Sequence, residues 1–157
     1  MNIRDYLIDS SGFDWQALVA SWQWRLPPKF TIWMMNRFGD LFLTTDDGKT
    51  HRLALDDGSL EVLAESKDRF TDKLAEPGIA DDWFMIPLVD ELVRAGKTLQ
   101  EGQCYAFIQI PILGGDYVVE NVAVRDVTDH YAAMGPIFEK LKDIPDATVV
   151  KFEIDKR

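Results

Sequence analysis

The chain has few of the residues that metal and thiol chemistry require. Its 157 residues include one cysteine, Cys104, and two histidines, His51 and His130. A single cysteine excludes an internal disulfide and any site built from several cysteines. The histidines also lack the H-E-x-x-H spacing of a zinc site. We therefore predict no metal, no cofactor and no catalytic residue.

Positive charge is scarce as well. Seventeen Lys and Arg residues stand against 27 Asp and Glu residues, which leaves a formal net charge of −10. A surface of this sign repels phosphate backbones, because binding to them rests on cationic side chains. We expect no nucleic acid and no anionic membrane as a partner. A basic protein is the partner that such a surface attracts.

Long apolar runs are missing too. None approaches the roughly 20 residues of a membrane span. The start, MNIRDYLIDSSGFDW, carries charges at Arg4, Asp5 and Asp9, where a signal peptide would need an apolar stretch. We therefore expect a cytoplasmic protein. Linkers and repeats are absent as well, and we predict a single domain over 1–157, with a helical segment at 1–28.

Four stretches have the spacing of apolar side chains that predicts amphipathic helices. The first follows Asp14 as its N-cap, the second follows Ser66, and the third has Pro87 in its first turn. The last spans 129–142. We expect their inward-facing residues to be Trp15, Leu18, Val19, Trp22, Phe70, Leu74, Leu88, Leu92, Val93, Tyr131, Met134, Phe138 and Leu141.

Two Asp-Gly turns predict a three-stranded antiparallel meander between residues 40 and 64. Asp-Gly between alternating apolar residues is typical of two-residue type I′ hairpins. Pairing outward from Asp47-Gly48 and Asp57-Gly58 places Phe42 opposite Leu53, and Leu53 opposite Val62. The resulting register buries one face, made of Phe42, Leu53, Leu55, Leu60 and Val62.

The remaining segments complete an α+β pattern. FTIWMMNRFG is apolar throughout and fits either a strand or a buried helix. QCYAFIQI, YVVENVAV and TVVKFEI are rich in β-branched and aromatic residues, which favours strands. We predict an α+β fold in which a largely antiparallel sheet, containing the meander, is flanked by helices.

Two glycines in IPILGGDYVVENV raise the question of a phosphate-binding loop. Gly114-Gly115 lacks the spacing and the lysine of a P-loop, and it leads into a predicted strand rather than a helix N-terminus. Asp116 would also repel an anion. We interpret the pair as a turn between two core strands, where glycine permits backbone conformations that other residues disfavour.

The other candidates for chemistry have ordinary structural interpretations. We expect His51 to be a partly buried, hydrogen-bonded imidazole beside Thr44. His130 falls in the first turn of the last helix, next to Asp129. Cys104 alternates within an apolar strand, which suits a packed and inert thiol. A hydrolase that pairs one of the histidines with a nearby aspartate is the least favoured function.

Pairs of aspartates recur in the predicted turns and at a helix start. Asp is favoured at such places because its short side chain bonds to nearby backbone amides. The alternative is that these loops form an acidic surface that binds a basic partner. The candidate partner-binding residues are Asp46, Asp47, Asp56, Asp57, Asp81 and Asp82.

Several segments together resemble a known family. MNRFGDLFL, LAES, DWFMIPLVDELVRAG and GQCYAFIQIPILGGDYVVENV are similar to the C-terminal domain of immunity proteins that neutralise DNase effectors of type VI secretion. The resemblance covers roughly Trp33 to Phe152, so we expect an immunity-type α+β domain at 33–152. In the best-described immunity proteins a separate domain precedes this one, whereas a short helical segment precedes Trp33 here.

The resemblance implies a non-enzymatic bacterial protein that binds and neutralises a toxin. We expect the toxin to be a basic protein encoded nearby, and no catalytic residue is implied. The alternative is a small-molecule-binding or regulatory domain, with a pocket lined by Tyr105, Tyr117 and the tryptophans. Sequence leaves the oligomeric state open.

Overall fold

The computed structural model describes residues 2–144, so the predicted strand in TVVKFEI lies outside the described residues. The α+β fold with a largely antiparallel sheet is confirmed. The helices are α1 (Trp15–Leu18), α2 (Lys67–Leu74), α3 (Ile79–Phe84), α4 (Ile86–Arg94) and α5 (Val127–Leu141). The strands are β1 (Thr31–Met35), β2 (Leu41–Thr44), β3 (Thr50–Leu53), β4 (Leu60–Ala64), β5 (Gln103–Phe107) and β6 (Val122–Asp126).

The first four strands form one antiparallel sheet in the order β1-β2-β3-β4. The ambiguous segment FTIWMM is therefore a strand, and the meander β2-β3-β4 is confirmed. Its predicted register is wrong. Leu41, rather than Phe42, lies opposite Leu53, and Leu53 pairs with Leu60 rather than with Val62.

The turns explain the difference in register. The Thr45 amide donates to the Lys49 carbonyl, so the first loop holds three residues, with Gly48 at φ 88°. A type I′ turn needs positive φ at both central residues, and the φ of Asp47 is not positive. In the second turn the Ala54 amide donates to the Ser59 carbonyl, which leaves a four-residue loop.

Both faces of this sheet are covered. Leu41 and Leu43 pack against the last helix on one face, in a cluster with Trp22 and Tyr131. Phe42 points to the opposite face, where it packs with residues of α2 and α3. The expectation of a single buried face is therefore wrong. Its outermost member, Val62, is exposed.

The helices follow their local signals closely. The Asp14 carboxylate caps α1, which gives way to a 3-10 turn at Ala20–Trp22, and Ser66 caps α2. Pro87 lies in the first turn of α4, as predicted, but Val93 is exposed rather than inward-facing. Helix α3 was not predicted as a separate element. It joins α4 through Met85, whose φ of 52° is left-handed.

The second sheet pairs β5 with β6 in antiparallel orientation. The predicted strand in YVVENVAV is only half right, because residues Val119–Asn121 form a 3-10 turn before β6 begins. Helix α5 starts at Val127, two residues before its predicted start, with Asp126 as its N-cap. Within residues 2–144, no helix combines the length and the apolar character of a membrane span.

Candidate partner-binding site

A groove of about 420 Å³ lies between the β3–β4 loop and the helices α3 and α4. We call it the acidic groove, because five carboxylates line it and a single arginine accompanies them. Its lining residues are Asp40, Arg52, Asp56, Asp81, Asp82, Met85, Pro87, Leu88, Glu91 and Tyr117. Negative charge concentrated in a cleft attracts cationic groups.

Asp40 is the buried acid of this groove, and hydrogen bonds from an earlier and a later residue of the chain hold it in place. The Asn36 side-chain amide donates to one oxygen of Asp40 at 2.9 Å, and the Leu55 backbone amide donates to the other at 2.8 Å. Burial, and then the charge of Asp56, raise the pKa of Asp40 to about 6. Its geometry is therefore set by hydrogen bonds before any partner arrives.

Asp56 and Tyr117 connect distant parts of the chain at one wall of the groove. The Tyr117 hydroxyl donates to an Asp56 carboxylate oxygen at 2.6 Å. Burial raises the pKa of both groups, and the bond to Asp56 raises that of Tyr117 further. Arg52 donates to Glu61 at 2.7 Å across the β3–β4 pair, so its charge is already partly neutralised there.

The acidic pairs predicted from sequence do not form one surface. Asp56, Asp81 and Asp82 line the acidic groove, whereas Asp57 does not. Asp46 and Asp47 lie in the β2–β3 loop, at the other end of β3 from the β3–β4 loop. There the Asp47 carboxylate accepts bonds from Thr45 and from the Lys49 amide, which is turn chemistry.

His51 occupies the kind of setting predicted for it. The imidazole is half-buried, and its Nε2 lies 3.0 Å from the hydroxyl of Thr45 rather than beside Thr44. Among the residues that the structure describes, neither histidine bonds to a carboxylate, and no group of His, Cys, Asp and Glu is arranged to hold a metal.

Cys104 and His130 are both deeply buried. Burial raises the pKa of the Cys104 thiol to about 12, so it remains protonated and unreactive. Burial, together with the nearby positive charge of Arg125, lowers the pKa of His130 to about 4. His130 is therefore neutral at pH 7. Its Nδ1 has no hydrogen-bond partner among residues 2–144.

A second groove, of about 470 Å³, lies between the end of β5, the 3-10 turn at Pro111–Leu113 and helix α5. We call it the apolar groove. Its lining residues are Phe107, Ile108, Gln109, Ile110, Leu113, Arg125, His130, Ala133, Met134 and Ile137.

The two glycines after Leu113 shape the turn beside the apolar groove. Gly114 is left-handed, at φ 98°, and a Cβ atom at Gly115 would overlap the Gln109 carbonyl oxygen. Both positions therefore need glycine for backbone reasons. The turn links β5 to β6, in agreement with the sequence-based interpretation, although it is part of a longer connection that runs from Ile108 to Asn121.

The small-molecule pocket considered as an alternative does not assemble from its predicted residues. Tyr105 is fully buried and bonds to the Lys97 carbonyl, whereas Tyr117 lines the acidic groove. Trp22 and Trp83 lie in separate core clusters on opposite faces of the first sheet. The aromatic residues therefore do not converge on one cavity.

Sequence reasoning missed three charged members of the acidic groove. Asp40, Arg52 and Glu91 lie on different elements and meet only in the folded chain. One local signal existed for Asp40. It follows Asn36 by four residues in a loop with Gly39, and Asn36 accepts bonds from the amides of both Phe38 and Asp40.

A comparison with protein families agrees with the resemblance noted from sequence. The matched segment, residues 64–137, is shorter than the expected Trp33 to Phe152. It contains Asp81, Asp82, Glu91 and Tyr117 of the acidic groove, whereas Asp40, Arg52 and Asp56 precede it. No curated protein matches the chain. Residues 64–137 match the family described as T6SS immunity protein Tdi1, C-terminal.

Proposed function

We propose that this protein binds and neutralises a toxin effector delivered by type VI secretion. The observation that carries the proposal is the family match over residues 64–137. This segment supplies helices α3 and α4 and the side chain of Tyr117, which line one side of the acidic groove.

We propose further that the toxin is a DNase and that its basic surface faces the acidic groove. A nuclease presents cationic side chains to the phosphates of DNA. An inhibitor with negative charge in a cleft can occupy that surface and associate quickly through electrostatic steering. Asp56, Asp81 and Asp82 are the predicted partner-binding residues that lie in position for such contacts.

The proposed action is binding rather than catalysis, and its proposed location is the bacterial cytoplasm. Three features favour binding. The Cys104 thiol is buried and protonated, His130 is buried and neutral, and the His51 Nε2 lies within hydrogen-bonding distance of a threonine hydroxyl. General acid–base or nucleophilic catalysis needs an accessible group with a partner that activates it.

Co-expression with the toxin encoded by the adjacent gene tests the proposal. Cells that express the toxin alone should stop growing, and cells that also express this protein should grow. The purified pair should co-elute, and this protein should block cleavage of plasmid DNA by the toxin. If growth is rescued without any DNA cleavage to block, neutralisation stands and the DNase assignment is wrong.

A toxin that neither binds this chain nor loses its toxicity would contradict the immunity role. A matched negative control is a toxin from an unrelated secretion cluster, which this protein should neither bind nor neutralise. Rescue of both toxins would indicate a nonspecific effect of expression rather than recognition.

A further inference from the structure

The apolar groove contains a buried polar group without a partner. The His130 side chain is only 3% exposed, it lines the groove, and its Nδ1 makes no hydrogen bond. Buried polar atoms are nearly always paired in folded proteins, because leaving one unpaired is costly. The Nδ1 atom is itself enclosed, as are the unpaired Nε atoms of Arg25, Arg37 and Arg52, so His130 gives the wall of the groove a neutral polar edge rather than an accessible donor at Nδ1.

Among the residues that the structure describes, Arg125 is the only charged one that lines the apolar groove. In the described part of the chain it makes no salt bridge, although the protein as a whole carries an excess of carboxylates. It lies close enough to His130 to influence the imidazole. An exposed arginine guanidinium in the wall of a groove is a donor suited to a carboxylate.

The rest of the groove is lined mainly by aliphatic side chains, and two of them are unusually exposed. Ile108 is 64% exposed and Ile137 is 41% exposed. Apolar side chains that cluster on a surface around a depression are typical of protein contact sites. The surface thus suits a partner that presents an apolar side chain beside a carboxylate.

Tyr117 of the acidic groove contacts a residue that lines the apolar groove. Its hydroxyl bonds to Asp56 in the acidic groove, and its ring packs edge-on against Phe107 of the apolar groove at 5.0 Å between centroids. Tyr117 and its neighbour Val118 are both exposed. Exposed tyrosines in such central positions often contribute strongly to binding.

We infer that the apolar groove is a second contact surface for the same toxin. It takes an aliphatic side chain of the toxin beside Ile108 and Ile137, and a neighbouring toxin carboxylate bonds to Arg125. The inference rests on the proposed function. It adds an apolar contact that also binds a carboxylate to the electrostatic contact proposed for the acidic groove.

Aspartate substitutions within the groove test this inference. The dissociation constant of the complex with the adjacent-gene toxin, inactivated at its catalytic site, is measured by calorimetry for Ile108→Asp and Ile137→Asp. We expect each to weaken binding by about tenfold or more, because an aspartate in an apolar contact must lose its hydration. The matched control is Val93→Asp, which is 47% exposed and lines neither groove.

Arg125→Gln separates the polar contact from the apolar one. We expect about threefold to tenfold weaker binding, mainly through faster dissociation. Thermal unfolding of each variant establishes that the fold is retained. Should either aspartate variant fail to fold, Ile108→Ser and Ile137→Ser provide the same comparison at smaller amplitude.

The outcomes separate the two proposals. If the wild-type chain fails to bind the toxin, the proposed function is wrong and this inference falls with it. If the wild-type chain binds, and the groove variants bind as tightly as Val93→Asp does, the proposed function stands and the second contact is wrong. Loss of binding confined to the groove variants and to Arg125→Gln supports it.

Discussion

Asp40 of the acidic groove and His130 of the apolar groove differ in the hydrogen bonds that their buried polar atoms make. In the acidic groove, Asp40 accepts bonds from Asn36 and Leu55, so its carboxylate is oriented in the free protein. In the apolar groove, the Nδ1 of His130 makes no hydrogen bond within residues 2–144, and neither does the Nε of Arg52 in the acidic groove. Hydrogen bonds preorganise the Asp40 carboxylate in the free protein, whereas the enclosed Nδ1 of His130 lacks that support.

The two grooves also share an interior wall. A cavity of about 10 Å³ is bounded by Asp40, Asp56 and Met85 on one side and by Phe107 and His130 on the other. Burial shifts the two titrating groups in opposite directions, raising the pKa of Asp40 and lowering that of His130. In each case the neutral form is favoured, as expected for a low-dielectric interior.

The largest expected effect comes from Gly58→Ala, which should disrupt the packing of the β3–β4 loop against helix α5. Gly58 is left-handed, at φ 74°, in the loop that carries Asp56, and a Cβ there would lie 2.5 Å from the Phe138 ring of α5. Strain and overlap together should lower the free energy of unfolding by about 4 kcal/mol. Urea denaturation measures the change.

Gly48→Ala is the matched control for this variant. Gly48 is also left-handed, at φ 88°, but the nearest atom to an added Cβ is 3.9 Å away. We expect a loss of only about 1 kcal/mol, from backbone strain alone. Equal losses at the two glycines would mean that contact with Phe138 does not constrain the loop.

The dependence of stability on pH sharpens the contrast between Asp40 and His130. The pKa of Asp40 is raised from 3.8 to about 6, so its contribution falls by about 3 kcal/mol as the pH rises through that window. The pKa of His130 is lowered from 6.5 to about 4, so its contribution rises by about 3 kcal/mol over nearly the same window.

These two contributions should largely cancel between pH 4 and pH 6. Removing one of them exposes the other. Asp40→Asn should make stability rise with pH, and His130→Phe should make it fall, as measured by urea denaturation at half-unit pH steps. If both variants keep the pH profile of the wild type, the two groups are not titrating as burial implies.

The double variant Asp81→Asn/Asp82→Asn, which neutralises part of the acidic groove, should bind the toxin about tenfold more weakly. Asp81 and Asp82 lie in the first turn of α3 and line the groove, and removing their charges reduces attraction to a basic partner. The same pair of changes at Asp46 and Asp47 is the control, because those residues lie in the distal β2–β3 loop. Calorimetry at two salt concentrations measures both variants.

A loss of affinity confined to Asp46→Asn/Asp47→Asn would indicate that the partner binds at the other end of the meander. Equal losses in both double variants would point to overall charge rather than to the groove. The salt dependence of the dissociation constant distinguishes these cases. If Asp81 and Asp82 attract the partner locally, the affinity of their double variant should depend less on salt than that of the wild type.

The smallest effect is expected from Tyr117→Phe, at the junction between the grooves. This change removes the hydroxyl that donates to Asp56 but keeps the ring against Phe107. Because Tyr117 is half-exposed, we expect a loss of unfolding free energy of about 0.5 kcal/mol. Tyr117→Leu, which also removes the ring contact, should cost more, and equal costs would assign all of the effect to the hydroxyl.

The sequence predicted the meander but not its register. Asp-Gly is compatible both with a two-residue I′ turn and with a three-residue loop that ends in a left-handed glycine. At the first turn these loops differ by one residue, which exchanges the faces of the strand, and at the second turn the loop holds four residues instead of two. The predicted register assumed that one face of the sheet is buried. Leu41, Phe42 and Leu43 are all buried, because helices cover both sides of the sheet.

Only those residues of the acidic groove that belong to pairs of adjacent aspartates were predictable from sequence. Asp56, Asp81 and Asp82 stand out in sequence as members of acidic pairs, and they line one groove. The apolar groove carries no such mark, because Ile108 and Ile137 are indistinguishable in sequence from core residues. Their exposure depends on how β5 and α5 are placed in the fold.

The sequence by itself determined the local features of this protein. Helix caps at Asp14 and Ser66, the proline in the first turn of α4 and the glycine turns act over a few residues, so their chemistry can be read locally. Only the tertiary structure decided the strand register and the burial of Asp40 and His130. It also decided that Tyr117 contacts both Asp56 and Phe107. These depend on contacts between residues far apart in the chain, and such contacts leave no local pattern.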